Sequence, residues 1–380
     1  MSEPVTSVPP PDAPASVSRR GLLTGAAAAA GALALPRSAE AAESAPAPPR
    51  AARSVPVGFV LSHEQFQTQA LVQWASRAET AGFGLLWTSD HLQPWQDVQG
   101  HSMHPWMTQA LISQATTRAT FGPGVTCPIY RHHPSEVAQA WASLGILAPG
   151  RVFLGVGTGE ALNEKAGTGQ FGPYAERAAR LVEAVQLIRR LWQGERVTWS
   201  GAYYAVDRFQ LYDVPERPVP IYMAASGPKS AYNAGFYGDG WICSAADIQK
   251  PELRDAFARG AQAAGKDPDA MPKYVELFVN VGDGPGLEYA AKRWRFTVDP
   301  WDPALLYDPD PLSIQQKANS WWPLPQVYGS WPKTGDPEDH IAAVQKLLDL
   351  GATPFVHSGQ RNQAAVIDFY GRSVLPELRV

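Results

Sequence analysis

The chain has 380 residues, 45% of them hydrophobic and 18% charged, with a formal net charge of −4. That balance can build a large globular core, and without a long basic run it excludes the electrostatic footprint that nucleic acid needs, so small molecules are the expected partners. Two cysteines, Cys127 and Cys243, exclude a disulfide scaffold, and without a Cys-x-x-Cys pair no metal site is expected.

Residues 1–55 are rich in Ala, Pro and Ser. Within them, SRRGLLTGAAAAAGALAL places Arg19 and Arg20 before a mild Ala/Gly-rich run ending near Leu35. Paired arginines, a leucine two residues on, and an apolar run too short to span a bilayer resemble a twin-arginine export signal. The SAEAAES that follows offers cleavage after Ala41 or Ala42. The expected organisation is a signal over 1–42, a flexible linker over 43–55 and a single domain over 56–380, exported to the cell envelope or periplasm. Twin-arginine export carries folded proteins, which suits a cofactor acquired in the cytoplasm.

From Val57 onward, short apolar strands alternate with amphipathic helices. VGFVL precedes a helix over 64–80, FGLLWTS one over 106–117, ATFGPGVT one over 134–147 and RVFLGVG one over 174–192. VPIYMAAS, GWICSA, KYVELFVNVG and TPFVHSG supply four more strands. Helices are expected over 229–237, 251–264 and 363–375, with another in DPEDHIAAVQKLLDLG. Eight such units favour an α/β fold of the closed (β/α)8 type, a TIM barrel, over an open doubly wound sheet. ERVTWSGAYYAV reads as an inserted hairpin turning at Ser200 and Gly201. A late Pro- and Trp-rich insertion carries Trp301, Trp321, Trp322 and Trp331, which suit either a lid over an apolar substrate or packing against the barrel rim.

In such barrels the chemistry sits where the strands end. The second strand runs into Ser89, Asp90 and His91, with Trp95 four residues on. The third ends in Gly124, Val125, Thr126 and Cys127, the fourth in GVGTGEALNE, which holds Thr158, Gly159, Glu160 and Asn163. The fifth ends in AASGPKS, whose Ser226, Gly227, Lys229 and Ser230 open a helix that can hold an anion. GTGEALNE is not a dinucleotide fingerprint, because the third glycine is missing.

Together SDHLQPW, GVTCP, RVFLGVGTGEALNE, LYDVP and IYMAASGP resemble the luciferase-like superfamily. Within it they are similar to the branch that uses the deazaflavin coenzyme F420, which includes glucose-6-phosphate dehydrogenases and exported hydroxymycolic acid dehydrogenases. The likeness runs over residues 57–375. It implies a homodimer and assigns roles by matching position. His91 would abstract the substrate hydroxyl proton, Glu160 would supply a proton to the deazaflavin, and Trp95 would pack beside the reacting centre. Asp90, Cys127, Thr158, Gly159 and Asn163 would bind cofactor, with Ser226, Gly227, Lys229 and Ser230 around its phosphate. Gly124 and Val125 would back the ring through a non-proline cis peptide.

The match to the sugar-phosphate enzymes breaks at the substrate end. That group holds its substrate's phosphate with a threonine and basic residues, where this chain has Ser244, Asp247 and, in VYGSWPK, Ser330. A carboxylate facing a dianion is repulsive, although Lys317 lies in the same insertion. The resemblance therefore implies oxidation of a secondary alcohol on a long-chain envelope lipid, a hydroxymycolic acid, to its ketone. Three alternatives remain open: an F420 enzyme with another substrate, an FMN-dependent monooxygenase, and an exported binding protein without turnover.

Overall fold

A computed structural model describes residues 55–298 and 302–379; the expected signal, linker residues 43–54 and Trp301 lie outside the described residues. Ten strands are present: β1 (Val55–Leu61), β2 (Phe83–Thr88), β3 (Thr120–Pro123), β4 (Leu154–Val156), β5 (Val197–Ser200), β6 (Ala205–Phe209), β7 (Ile221–Ala224), β8 (Gly240–Ser244), β9 (Lys273–Val279) and β10 (Thr353–Ser358). Eight of them form one parallel sheet in the order β3-β2-β1-β10-β9-β8-β7-β4. Its two ends meet through isolated bridges between Phe121 and Val152 and between Thr126 and Val156, so the sheet closes into the expected barrel.

Alternation along the strands sends every second side chain into the lumen. There Val60, Trp87, Phe153, Tyr222, Ile242, Tyr274 and Phe355 form one buried cluster. Trp87 stacks on Phe355 with centroids 4.5 Å apart, and Tyr222 meets Tyr274 edge-on at 4.8 Å. Burying side chains of this size contributes roughly 1.5–3 kcal/mol each, making this layer a rigid floor for whatever lies above it. Gly58 is needed here because a Cβ on β1 would strike the Phe355 ring.

The helices outside begin where the sequence carries proline at the first turn, as in Pro105–Ala115, Pro134–Leu147, Pro228–Tyr237 and Pro251–Ala263. The first helix starts at Thr68, not near residue 64, which leaves Glu64 in the loop at the barrel mouth. The hairpin turns over residues 201–204, and Ser200 belongs to the strand, pairing with Ala205. Glu183 explains the longer turn: its carboxylate accepts the backbone N–H groups of Ala202, Tyr203 and Tyr204. The last helix is regular only over Gln363–Phe369 and continues as a π-turn over Tyr370–Val374.

The late insertion is itself helical, with Pro303–Leu306, Pro311–Trp321 and Leu324–Val327. Trp331 is buried in a second cluster with Trp95, Trp294 and Phe296, and stacks on Phe278 at 5.4 Å. Trp322 packs at the edge of that cluster, whereas Trp321 is 40% exposed. The insertion therefore fixes Trp95 through its packing against the rim.

Candidate active site

Loops after β1, β2 and β4 bring the first group of polar side chains together. Asn163 is buried, and its Oδ1 accepts the N–H of Leu92 at 2.8 Å. That contact turns its Nδ2 toward His91 Nδ1 (3.2 Å) and Glu160 Oε2 (3.3 Å). An amide that donates to Nδ1 assigns the neutral imidazole's proton to Nε2. Nε2 in turn lies 3.8 Å from Glu64 Oε1. His91 also faces Trp95 at 5.4 Å, and Trp95 is stacked on Phe296 at 4.7 Å.

Glu64 did not emerge as a site residue from sequence, because SHEQF after the first strand reads as a helix start. Its Oε2 accepts the hydroxyls of Ser62 (2.8 Å) and Ser89 (2.5 Å). Burial pushes its carboxyl up, but His91 and the Ser89 and Ser62 hydroxyls outweigh that and hold it below the usual carboxylate range. An ionised carboxylate under Nε2 stabilises the imidazolium that forms when His91 takes a proton.

Asp90 sits directly beneath this group and is fully enclosed. Its oxygens accept from Arg131 Nη2 (2.8 Å), Thr126 Oγ1 (2.5 Å) and Trp106 Nε1 (2.9 Å). Burial again opposes ionisation, and Arg131, His132, Thr126 and Trp106 overcome it. In the structure Asp90 anchors Arg131 and the mouth's floor. Arg131 also meets Glu164, which accepts the Arg131 N–H at 2.9 Å. Burial, aided by the Glu160 charge and opposed by Arg131, pushes the Glu164 carboxyl up to about 7.

Between the ends of β2 and β4, Gly124–Val125 is a cis peptide and both residues are half-buried. Cys127 is a buried free thiol, raised well above its ordinary range mainly by burial; Cys243 is likewise free and buried. Thr158 and Glu160 are half-buried on either side of Gly159, whose φ of +69° favours glycine. A residue that sequence reasoning passed over holds this turn: buried Arg177 donates to the carbonyls of Thr158 and Gly159, both at 3.0 Å, and lies 4.1 Å from the Phe171 ring centroid. Farther round, Gly227 caps the helix Pro228–Tyr237, with Ser226 and Lys229 exposed beside it. Ser230 is occupied locally, bonding the Gly227 N–H and C=O.

Gly124–Val125 and the Thr158–Glu160 turn lie at neighbouring strand ends, half-buried except for Gly159, and the exposed donors of Ser226 and Lys229 stand at a helix N-terminus. This set fits a flat ring with a phosphate-bearing chain. At the other side of the mouth the described residues form no phosphate cradle. Asp247 pairs with Lys250 at 2.8 Å, Ser330 is exposed, and Lys317 is committed to Asp308 at 2.5 Å.

The family model described as luciferase-like monooxygenase matches residues 28–294. An F420-dependent hydroxymycolic acid dehydrogenase of Mycobacterium tuberculosis (strain ATCC 25618 / H37Rv) is 55% identical over 334 residues, covering 88% of this chain and 91% of the relative. An F420-dependent glucose-6-phosphate dehydrogenase of Mycolicibacterium gilvum (strain PYR-GCK) is 38% identical over 85% of this chain and 98% of its own. Among solved structures, an F420-dependent secondary alcohol dehydrogenase in complex with an F420-acetone adduct superposes with a TM-score of 0.79 at 32% identity. That match covers 85% of this chain and 99% of the other. Barrel, mouth and sequence agree, and the chain belongs to the luciferase-like family, among its F420-dependent dehydrogenases.

Proposed function

We propose that this protein is a coenzyme F420-dependent dehydrogenase that oxidises a hydroxymycolic acid, a secondary alcohol on a long-chain envelope lipid, to the ketone. The observation that carries the reaction class is Asn163, one fixed amide facing both His91 and Glu160. When bound, the deazaflavin supplies the two-electron hydride acceptor that protein side chains lack. His91 accepts the substrate hydroxyl proton at Nδ1, where the hydroxyl takes the place of the Asn163 N–H, and Glu64 balances the resulting charge from the Nε2 side. Glu160, held by the same amide, would supply the proton that accompanies reduction of the cofactor. Trp95 and Phe296 wall the reacting centre and limit water. Thr158, Gly159, Gly124 and Val125 would support the ring, with Ser226, Gly227, Lys229 and Ser230 around the phosphate.

Three features support a lipid alcohol over a sugar phosphate: the Asp247–Lys250 pair, the engagement of Lys317 by Asp308, and the 55% identity to the hydroxymycolic acid enzyme. The Arg19–Arg20 signal supports export to the envelope, and a homodimer is proposed on family likeness. Replacing Arg19 and Arg20 by lysine should trap the protein in the cytoplasm; unchanged export would refute the signal. His91→Ala should lower kcat by about 10²–10⁴ and leave F420 affinity within about threefold by fluorescence titration. Parallel loss of affinity and rate would instead assign His91 a structural role.

A further inference from the structure

Two lumen-facing residues take no part in the site described above. On β9, Tyr274 belongs to the aromatic floor, so Glu276, two residues on, projects to the same side one layer nearer the mouth. On β10, Phe355 and His357 stand in the same relation. The strands are neighbours, and His357 Nδ1 lies 2.7 Å from Glu276 Oε1. His357 is held between Phe278 at 4.4 Å and Trp294 at 4.3 Å, and its buried Nε2 has no hydrogen-bond partner among the described residues. It therefore acts as a rigid Nδ1–H donor to one carboxylate oxygen.

Glu276, in contrast, keeps 31% of its side chain exposed. A lumen-facing side chain in this layer reaches solvent only through the barrel mouth. Beside it on β8, Ser244 pairs in register with Glu276, and its Oγ accepts the Asp247 N–H at 3.1 Å. The serine's own O–H is left to donate. A fixed acceptor next to a hydroxyl donor matches a group that both donates and accepts, which a hydroxyl does and an ammonium does not. An anion would meet the carboxylate directly.

We infer that Glu276 is a substrate-selecting residue: with Ser244 it binds a second, uncharged hydroxyl of the alcohol substrate, distinct from the one His91 serves, and disfavours an anionic group at that place. His357 is its positioning residue. This rests on the dehydrogenase reading and narrows its substrate class.

The test uses the F420-loaded enzyme with two uncharged long-chain secondary alcohols that differ only in a second hydroxyl. Glu276→Leu should raise KM for the dihydroxy alcohol about tenfold, the worth of one such hydrogen bond, with kcat, the monohydroxy KM and F420 affinity within about twofold. Glu276→Gln, which keeps the shape, should let inorganic phosphate inhibit several-fold more tightly. His357→Phe should reproduce most of the KM effect, and His357→Gln, which keeps an N–H donor, should restore part of it. Variants that alter both alcohols alike, or neither, overturn the inference alone. If the wild type reduces F420 with neither alcohol, the dehydrogenase reading falls and takes the inference with it.

Discussion

Glu164 shows how one buried carboxyl ties stability to pH. Its folded-state pKa of about 7 lies above the ordinary carboxylate value, chiefly through burial. A raised acid favours folding in its protonated form, so the contribution is complete below the ordinary carboxylate pKa and is lost as pH climbs through about 7. Glu164→Gln removes the titration while keeping an acceptor for the Arg131 N–H. At about 1.4 kcal/mol per pKa unit, the variant should be more stable than wild type by on the order of 3 kcal/mol at pH 8, and nearly equal to it near pH 4. Denaturant melts at the two pH values measure the difference; an offset of the same size at both would show that Glu164 does not titrate there. Asp90 behaves oppositely, because Arg131 and its other donors keep it ionised.

At the scale of elements, the strand and helix rhythm was legible because parallel strands buried on both faces read as apolar runs, and prolines mark the helix starts. The strand-end rule also pointed to Asp90, His91, Glu160 and Asn163, which the structure gathers at one end of the barrel. What escaped were residues whose role depends on a distant partner. Glu64 follows the first strand but meets Ser89 and His91, which follow the second, only once the two strands are paired. Arg177 lies in an ordinary amphipathic helix, and nothing in YAERAARL tells that it turns inward to hold Thr158 and Gly159. The hairpin lies where expected but its turn was set too early for the same reason, since Glu183 fixes the loop from another element. Trp331 is likewise absorbed by Phe278, a partner many residues away, so tryptophan content alone could not separate lid from rim.

For the whole molecule, the aromatic floor, the Trp95 cluster and the closed sheet hold a mouth with two unlike sides. One side offers the Gly124–Val125 and Thr158–Glu160 loops and the helix N-terminus that fit a deazaflavin; the other offers paired carboxylates where a sugar phosphate would need cations. That asymmetry makes the central claim directly measurable. The protein is mixed with oxidised F420, and the deazaflavin's visible absorbance is followed after adding hydroxymycolic acid, or glucose 6-phosphate in a separate cuvette. The account predicts bleaching with the lipid and none with the sugar phosphate. Bleaching with the sugar phosphate alone would contradict it.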